Sequence, residues 1–323
     1  MPVAGVTAGS YAESLPCVEA NLEALLRHAG AGDLLTLTAL GGPCTMDADP
    51  PASLRLRPVE LGEWIRRCTG LELVRSTSAD WAGLAGQIRS LAGGGLPVLV
   101  YADAFTVPWN PYAGHEHHEH AFVVDGADGA DQRFHVVDAY TNATRYGRAE
   151  PRELWVQERE LAGSLRPAGD TYRIDHISGT VRHVDAAELG RDIIGRNVRD
   201  HARAEREGRD AAALVSFARG DLGTAELGWL SLAIWLTTRS RALHTRWWRE
   251  SPWLDGGAEA SRCGDEASGQ WQKAQTISYL AWRRVEAGNP CPPTLASALA
   301  AAAQADAQWF AAMGQWLSPA GPG

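Results

Sequence analysis

The chain has 323 residues, of which 45% are hydrophobic and 21% charged, the proportions of a globular protein with a substantial core. Its formal net charge of −9 argues against a nucleic-acid partner, because phosphate groups repel a protein without a concentrated basic face. No apolar run approaches the ~18 residues of a membrane-spanning helix, so no membrane partner is expected.

The cysteines and the amino-terminal segment together predict a cytoplasmic location. Five cysteines without tight spacing are more typical of a reducing compartment than of a disulfide framework. The segment 1–5 lacks the basic start and the apolar run of a secretory signal.

The first predicted element is a helix that carries a cysteine at its start. Ser14 is a helix-capping residue, Pro16 suits a first turn, and Gly30 follows the end of the pattern. Cys17 therefore lies at a helix amino terminus. Apolar residues recur at helical spacing between these limits, at Val18, Leu22, Leu25, Leu26 and Ala29.

A loop and two more helices are predicted next. The loop is rich in glycine and proline and extends from Gly41 to Pro58. The third helix is expected to begin at Ser78. The second helix presents one apolar side, formed by Leu61, Trp64, Ile65 and Cys68, and the third presents another, formed by Trp81, Leu84, Ile88 and Leu91.

Strand patterns follow these helices. The apolar run 96–101 predicts a buried strand. The runs 121–124 and 134–137 flank a turn rich in glycine and aspartate, which predicts a β-hairpin. A weaker fourth strand is expected at 171–174. These segments together predict a small antiparallel sheet.

From about Ala186 onward the strand patterns disappear, and apolar residues recur at helical spacing. We therefore predict an α+β domain over residues 1–180 and an all-α domain over 181–323 that packs against it. The predicted helices of the second domain lie near 186–208, 210–219, 223–246, 267–287 and 294–316.

The densest polar stretch of the chain, 103–120, joins the first two predicted strands. Loops between buried strands often carry reactive groups, because a rigid scaffold holds their ends. A solvated, incidental histidine-rich loop is the alternative interpretation. We take five side chains of this stretch as candidate substrate-binding residues: Asp103, Trp109, Tyr112, Glu116 and His118.

The same stretch contains potential metal ligands, since histidine and carboxylate side chains suit zinc or iron. The order His115-Glu116-His117-His118-Glu119 nevertheless departs from the metalloprotease pattern His-Glu-x-x-His, because position 119 is a glutamate. We therefore predict no metal and no other cofactor.

His120 and Asp138 are the strongest candidates for acid–base chemistry. His120 directly precedes the first strand of the hairpin, and Asp138 ends the second strand, eighteen residues later. Antiparallel pairing brings these two ends together. An aspartate in that position accepts the imidazole N–H, selects one tautomer and stabilises the imidazolium. A simple turn residue is the alternative role for Asp138.

These features resemble a papain-like fold, in the variant found in the butirosin biosynthesis protein H family. The resemblance covers Cys17 to Gly30, Gly95 to Asp103, Pro108-Trp109 and His120 to Asp138, and a helical second half also fits. Members of that family resemble peptidases but act as acyltransferases of natural-product pathways. They transfer an acyl group from a carrier-protein thioester to an amine.

The resemblance implies that Cys17 is the nucleophile, His120 the base and Asp138 the orienting acid. We also expect a small-molecule substrate that is attached to an acidic carrier protein, and a partner subunit is a further expected partner. A helix amino terminus and a nearby imidazolium both favour a thiolate. One departure is Tyr11, which occupies the place of the usual oxyanion-binding glutamine, so helix amides would take over that task.

Two other functions remain open from the sequence. In the first, Cys17 is inert, and carboxylates and histidines bind and deprotonate a substrate amine that then closes a ring by displacing a leaving group. The second is a non-catalytic scaffold that binds a carrier protein or a partner subunit. The side chains for the cyclisation would be Asp103, Glu116, His118 and His120.

Overall fold

The structure is a computed structural model that describes residues 7–9, 11–32, 61–165, 171–182, 185–251, 254 and 257–318. The predicted loop from Gly41 to Pro58 lies outside the described residues. The described residues up to 182 belong to one compact unit, and those from 185 onward belong to a second.

The first unit is built on a six-stranded sheet in which every neighbouring pair is antiparallel. The strand order is β1-β8-β2-β3-β4-β7, and two short strands, β5 and β6, pair separately. The strands are β1 Glu72–Ser78, β2 Val98–Asp103, β3 Glu119–Asp128, β4 Arg133–Asp138, β5 Asn142–Thr144, β6 Gly147–Ala149, β7 Arg152–Gln157 and β8 Tyr172–Ser178.

The sheet has more strands than the sequence predicts. Strands β1 and β7 were not predicted, because they are edge strands without a continuous apolar run. An edge strand that is half exposed alternates polar and apolar residues, which weakens its signal. Ser78 is the last residue of β1 and not the start of a helix. The following helix is capped by Asp80, whose carboxylate accepts the Gly83 N–H at 2.8 Å.

Helices cover both faces of this sheet because strand residues alternate between the faces. Ala121 and Val123 pack with apolar residues of α1 and α2, whereas Phe122 and Val124 pack with residues of α3 and α4. The helices are α1 Cys17–His28, α2 Leu61–Thr69, α3 Trp81–Gly93 and α4 Glu158–Ser164.

The amino terminus of α1 differs from the predicted capping pattern. Ser14 belongs to a short 3-10 turn, Ala12–Ser14, and the residue before the helix is Pro16. Pro16 makes no side-chain cap bond to α1. Cys17 is its first residue, as the sequence predicts.

The second unit is helical in its described part. Its third and fourth helices extend beyond the predicted limits, whereas its first two helices end slightly inside theirs. Residues 258–266 contain few large apolar side chains, yet they are helical because small residues allow close packing. A Cβ atom added at Gly264 would lie 3.0 Å from the Trp309 ring. The helices are α5 Ala186–Arg206, α6 Ala211–Ala218, α7 Thr224–Glu250, α8 Ala258–Glu286 and α9 Thr294–Leu317.

A buried ion pair lies inside this helical unit. Nε of Arg241 on α7 lies 2.8 Å from Oδ1 of Asp306 on α9, and the side chains are 0% and 2% exposed. The indole nitrogen of Trp271 on α8 donates to the same carboxylate oxygen at 3.0 Å. The pair therefore joins three helices. Of the helices in the described ranges, none combines the length and apolarity needed to cross a bilayer.

Candidate active site

His120 and Asp138 form a buried pair at one end of the β3–β4 hairpin. The strands pair Val124 with Val136. His120 lies four residues from Val124 and Asp138 lies two residues from Val136, so both side chains are on the same face. Nε2 of His120 lies 2.7 Å from Oδ2 of Asp138, and the side chains are only 2% and 6% exposed. The approach of imidazole and carboxylate expected from the hairpin is therefore observed.

Cys17 completes a group of three side chains. Its thiol Sγ lies 3.7 Å from the carbonyl oxygen of Glu119, the residue before His120. The thiol is also close enough to His120 to raise the pKa of its imidazole. Because Nε2 of the imidazole is bonded to Asp138, Nδ1 is the ring nitrogen left for the thiol. The half-buried Cys17 thus lies beside the imidazole, with the carboxylate on the other side of the ring.

The carboxylate of Asp138 accepts hydrogen bonds on both oxygens. Oδ2 accepts from His120 and, at 3.0 Å, from the indole nitrogen of Trp109. Oδ1 accepts from the Tyr140 N–H at 3.1 Å and from Nδ2 of Asn21 at 3.3 Å. Burial by itself would raise the pKa of Asp138, but the charge of His120 and these donors lower it below its ordinary value.

The surroundings of His120 favour its charged form. Burial by itself would lower the pKa of His120. The charge and hydrogen bond of Asp138, followed by the influence of the neighbouring Cys17, outweigh burial and raise the pKa of His120 to about 10. At neutral pH His120 is therefore an imidazolium, which lies between the carboxylate of Asp138 and the sulfur of Cys17.

The amino terminus of α1 supplies backbone donors beside the thiol. The first backbone bond at this end runs from the Ala20 N–H to the Pro16 carbonyl. Amides of the first turn have no acceptor within their own helix, and the N-cap residue, Pro16, offers no side-chain acceptor. The N–H groups at Cys17 and Val18 can therefore donate to the oxyanion that forms when the sulfur attacks a carbonyl group. This arrangement does not require a glutamine at position 11.

Three of the predicted substrate-binding residues form a second polar cluster. Glu116 Oε2 lies 3.0 Å from Nε2 of His118, and the ring of Tyr112 packs edge-on against the His118 ring at 4.7 Å. Glu116 Oε1 accepts from the hydroxyl of Tyr146 at 2.8 Å and from the guanidinium of Arg145. Arg145 and Tyr146, which the sequence did not indicate, lie in the turn between β5 and β6.

Asp103 is paired with a histidine that was not among the candidates. Its Oδ2 lies 2.7 Å from Nδ1 of His117, and its Oδ1 accepts the Phe105 N–H at 3.0 Å. The ring of His117 stacks on Phe105 with centroids 4.2 Å apart. Asp103 therefore both holds His117 and caps the short helix that follows β2.

The four side chains expected to act together in a cyclisation do not form a single group; they are Asp103, Glu116, His118 and His120. Asp103, Glu116 and His120 each have a separate charged or imidazole partner. Burial lowers the pKa of His118, and the charge of Asp103 only partly opposes this effect. His118 therefore shares a hydrogen bond with Glu116 as a neutral ring near pH 7. β3 begins at Glu119, so strand geometry does not place His118 on the face of His120.

No group of three or more histidine, cysteine, aspartate or glutamate side chains within the described ranges is arranged to hold a metal ion. Each described cysteine is a free thiol: Cys17, Cys68, Cys263 and Cys291. Residue Cys44 lies outside the described residues.

Asn21 is a further residue beside Cys17 and Asp138 that the sequence did not indicate. It lies four residues after Cys17, one helical turn along α1, and its side chain is fully buried. A polar amide among Val18, Leu22 and Leu25 on an apolar helix face was the one available signal. Such a residue is expected to have buried partners, because an unpaired amide in a core is costly.

Comparison of the chain with protein-family models and with curated protein sequences found no match. The resemblance to the butirosin biosynthesis protein H family therefore rests on the residues quoted for it.

Proposed function

We propose that this chain is a papain-like cysteine acyltransferase of natural-product biosynthesis. It accepts an acyl group from a thioester, with a carrier protein as the donor, and transfers it to an amine of a small molecule. The observation that carries this proposal is that Cys17, at the amino terminus of α1, lies beside His120, whose imidazole is bonded to Asp138. A partner subunit is not required for this group of three.

In the first half-reaction the Cys17 thiolate attacks the thioester carbonyl carbon. The carbonyl oxygen becomes an oxyanion, which the first-turn amides of α1 stabilise. When the tetrahedral intermediate collapses, the bond from carbon to the donor sulfur breaks. His120, held as an imidazolium by Asp138, gives its proton to the departing thiolate. The products are an acyl-Cys17 thioester and a free donor thiol.

In the second half-reaction the amine attacks the acyl-Cys17 carbonyl carbon. His120 is now neutral and takes the proton that the amine loses. The second intermediate collapses with cleavage of the carbon–sulfur bond to Cys17. The amide product leaves, and the site returns to its thiolate and imidazolium.

Cyclisation without a covalent intermediate has less support. It requires carboxylates that are open to a substrate ammonium group. Glu116 is already bonded to the guanidinium of Arg145 and the hydroxyl of Tyr146, and Asp103 is bonded to His117. A scaffold without catalysis has less support as well, because it gives no reason for a thiol, an imidazole and a carboxylate to meet.

The proposal is tested by intact-mass measurement after incubation with an acyl thioester and no amine. The wild-type chain should gain the mass of one acyl group, and peptide mapping should place it on Cys17. Cys17→Ala should abolish the adduct. Cys291→Ala is the matched control, since Cys291 is also a half-buried free thiol but belongs to the helical unit, and it should acylate as the wild type does.

Addition of an amine should then remove the adduct and yield an amide. Amide formation that survives Cys17→Ala but is lost in His120→Ala and Asp103→Asn would replace acyl transfer with the cyclase-type function. Activity or partner binding that is unchanged in all of these variants would indicate the scaffold.

A further inference from the structure

The side chain of Asn21 lies at the point where three elements of the candidate site meet. Its Nδ2 lies 2.9 Å from the carbonyl oxygen of Cys17 and 2.7 Å from that of Ala121. The same nitrogen lies 3.3 Å from Oδ1 of Asp138. Its Oδ1 accepts the N–H of Ala139 at 2.9 Å. One amide thus contacts α1, β3 and the end of β4.

These partners determine the orientation of the amide. An asparagine has two N–H donors on nitrogen and an acceptor on oxygen. Two carbonyls and a carboxylate surround the nitrogen, and a backbone donor faces the oxygen. Rotation of the amide by half a turn would place oxygen against three acceptors, so a single orientation satisfies the surroundings.

The position of these partners relates Asn21 to the reacting groups. Cys17 is the proposed nucleophile, Ala121 follows His120 in β3, and Asp138 orients the imidazole. Asn21 is completely buried, so in the wild type bulk water does not compete for its hydrogen-bond partners. A chain of side-chain bonds therefore runs from the helix that carries the thiol to the two strands that carry the imidazole and the carboxylate.

We infer that Asn21 is a positioning residue, which holds Cys17 at the distance from His120 that acyl transfer requires. This inference rests on the proposed function for its catalytic meaning. Asn21 acts through other residues and not on the acyl group. Its Nδ2 and the Tyr140 N–H hold one oxygen of Asp138, while the other oxygen stays directed at His120.

Two substitutions separate positioning from general stability. Asn21→Asp keeps the size and the acceptor for Ala139, but an ionised carboxylate donates no hydrogen bond and repels Asp138. Asn21→Ser is smaller, so a water molecule can pair the freed carbonyls and the chain can fold where Asn21→Asp does not. Thr69→Val is the control, because it removes buried bonds to Ile65 in α2 and to Leu71 just after this helix, and none of these residues bonds Cys17, His120 or Asp138 in the described structure.

Two readouts follow the site without any acyl substrate. The first is the rate of Cys17 alkylation by iodoacetamide at pH 6.5, with Cys291 in the same chain as an internal standard. The second is the downfield NMR resonance expected for the imidazole N–H that faces Asp138. Either Asn21 variant should alkylate at Cys17 at least tenfold more slowly and should lose or shift this resonance. Thr69→Val should change neither readout.

A folded Asn21 variant that keeps the wild-type alkylation rate and resonance would overturn the inference. Equal effects in Thr69→Val would overturn it too, because they would show a loss of general stability. A different outcome would refute the proposed acyl transfer without refuting the positioning role of Asn21. If the wild type forms no adduct with a thioester but the Asn21 variants still lose both signals, positioning holds and the proposed reaction does not.

Discussion

The indole nitrogen of Trp109 lies 3.0 Å from Oδ2 of Asp138, the carboxylate oxygen that also accepts the imidazole N–H of His120. The Trp109 ring packs edge-on against Phe122 with centroids 5.3 Å apart. Trp109 therefore packs beside the imidazole–carboxylate pair and donates a further hydrogen bond to its carboxylate. We predicted Trp109 as a substrate-binding residue, and its polar atom is occupied by the site itself.

We expect Trp109→Phe to weaken the site while keeping its packing. Phenylalanine preserves the contact with Phe122 but cannot donate to Asp138. Loss of a hydrogen bond to a charged group should lower the free energy of unfolding by about 1.5 to 3 kcal/mol. Urea denaturation measures this change. Trp155→Phe is the control on the edge strand β7, where the ring is 37% exposed, and it should change the free energy by less than ~1 kcal/mol.

Asp138→Asn should produce a pH-dependent loss of stability. Removal of one member of a buried ion pair costs roughly 3 to 5 kcal/mol. The pKa of His120 is raised from 6.5 to about 10, so the folded state keeps a proton that the unfolded state loses first. The stabilisation is therefore complete below pH 6.5 and declines as pH rises towards about 10. Denaturation curves of both chains across this range measure it.

At acidic pH the contribution of Asp138 to stability changes in the opposite direction, because it is lost as the pH falls. The pKa of Asp138 lies below its ordinary value of 3.8, so its contribution is complete above that pH and is lost as pH falls further. Asp125→Asn is the matched control, since Asp125 is also buried and bonds a histidine, His135, at 2.6 Å. Burial raises the pKa of Asp125, whereas the pKa of Asp138 is lowered, so this substitution should not reproduce the loss of stability at acidic pH. A constant difference between wild type and Asp138→Asn from pH 5 to about 10 would contradict the assigned pair.

Asp103→Asn should make His118 harder to protonate. Burial lowers the pKa of His118, and the charge of Asp103 is what opposes this effect. The asparagine is isosteric and can still accept the Phe105 N–H, so the local turn is retained. NMR titration of the imidazole should show a further decrease in the His118 pKa. Asp131→Asn, a change at an exposed carboxylate in the β3–β4 turn, should leave this titration unchanged.

Asp306→Asn should destabilise the helical unit strongly. Arg241 would be left as a buried cation without its counterion, and Trp271 would face an altered acceptor. We expect a loss of about 3 to 5 kcal/mol in the free energy of unfolding. Glu286→Ala is the control, because its pair with Arg283 is exposed on α8, and it should cost less than ~1 kcal/mol. Similar losses for the two variants would contradict a structural role for the buried pair.

Local patterns account for the parts of the site that the sequence predicts. The His120–Asp138 pair spans a single hairpin, so two apolar runs and one turn are enough to place it. Cys17 is 103 positions away from His120, and only the resemblance suggested that they meet. The partners of Glu116 could not be predicted from the sequence. Arg145 and Tyr146 belong to a short hairpin of mostly polar residues without a strong strand pattern.

The sequence alone determined an antiparallel hairpin, a cysteine at the start of a helix, and a helical second half, because each follows from hydrophobic period and turn residues over a short stretch. Only the tertiary structure decided that α1 meets the hairpin through Asn21 and that Trp109 covers Asp138. Those contacts join segments that are far apart along the chain. Their geometry depends on how buried polar groups find partners once the sheet and helices have packed.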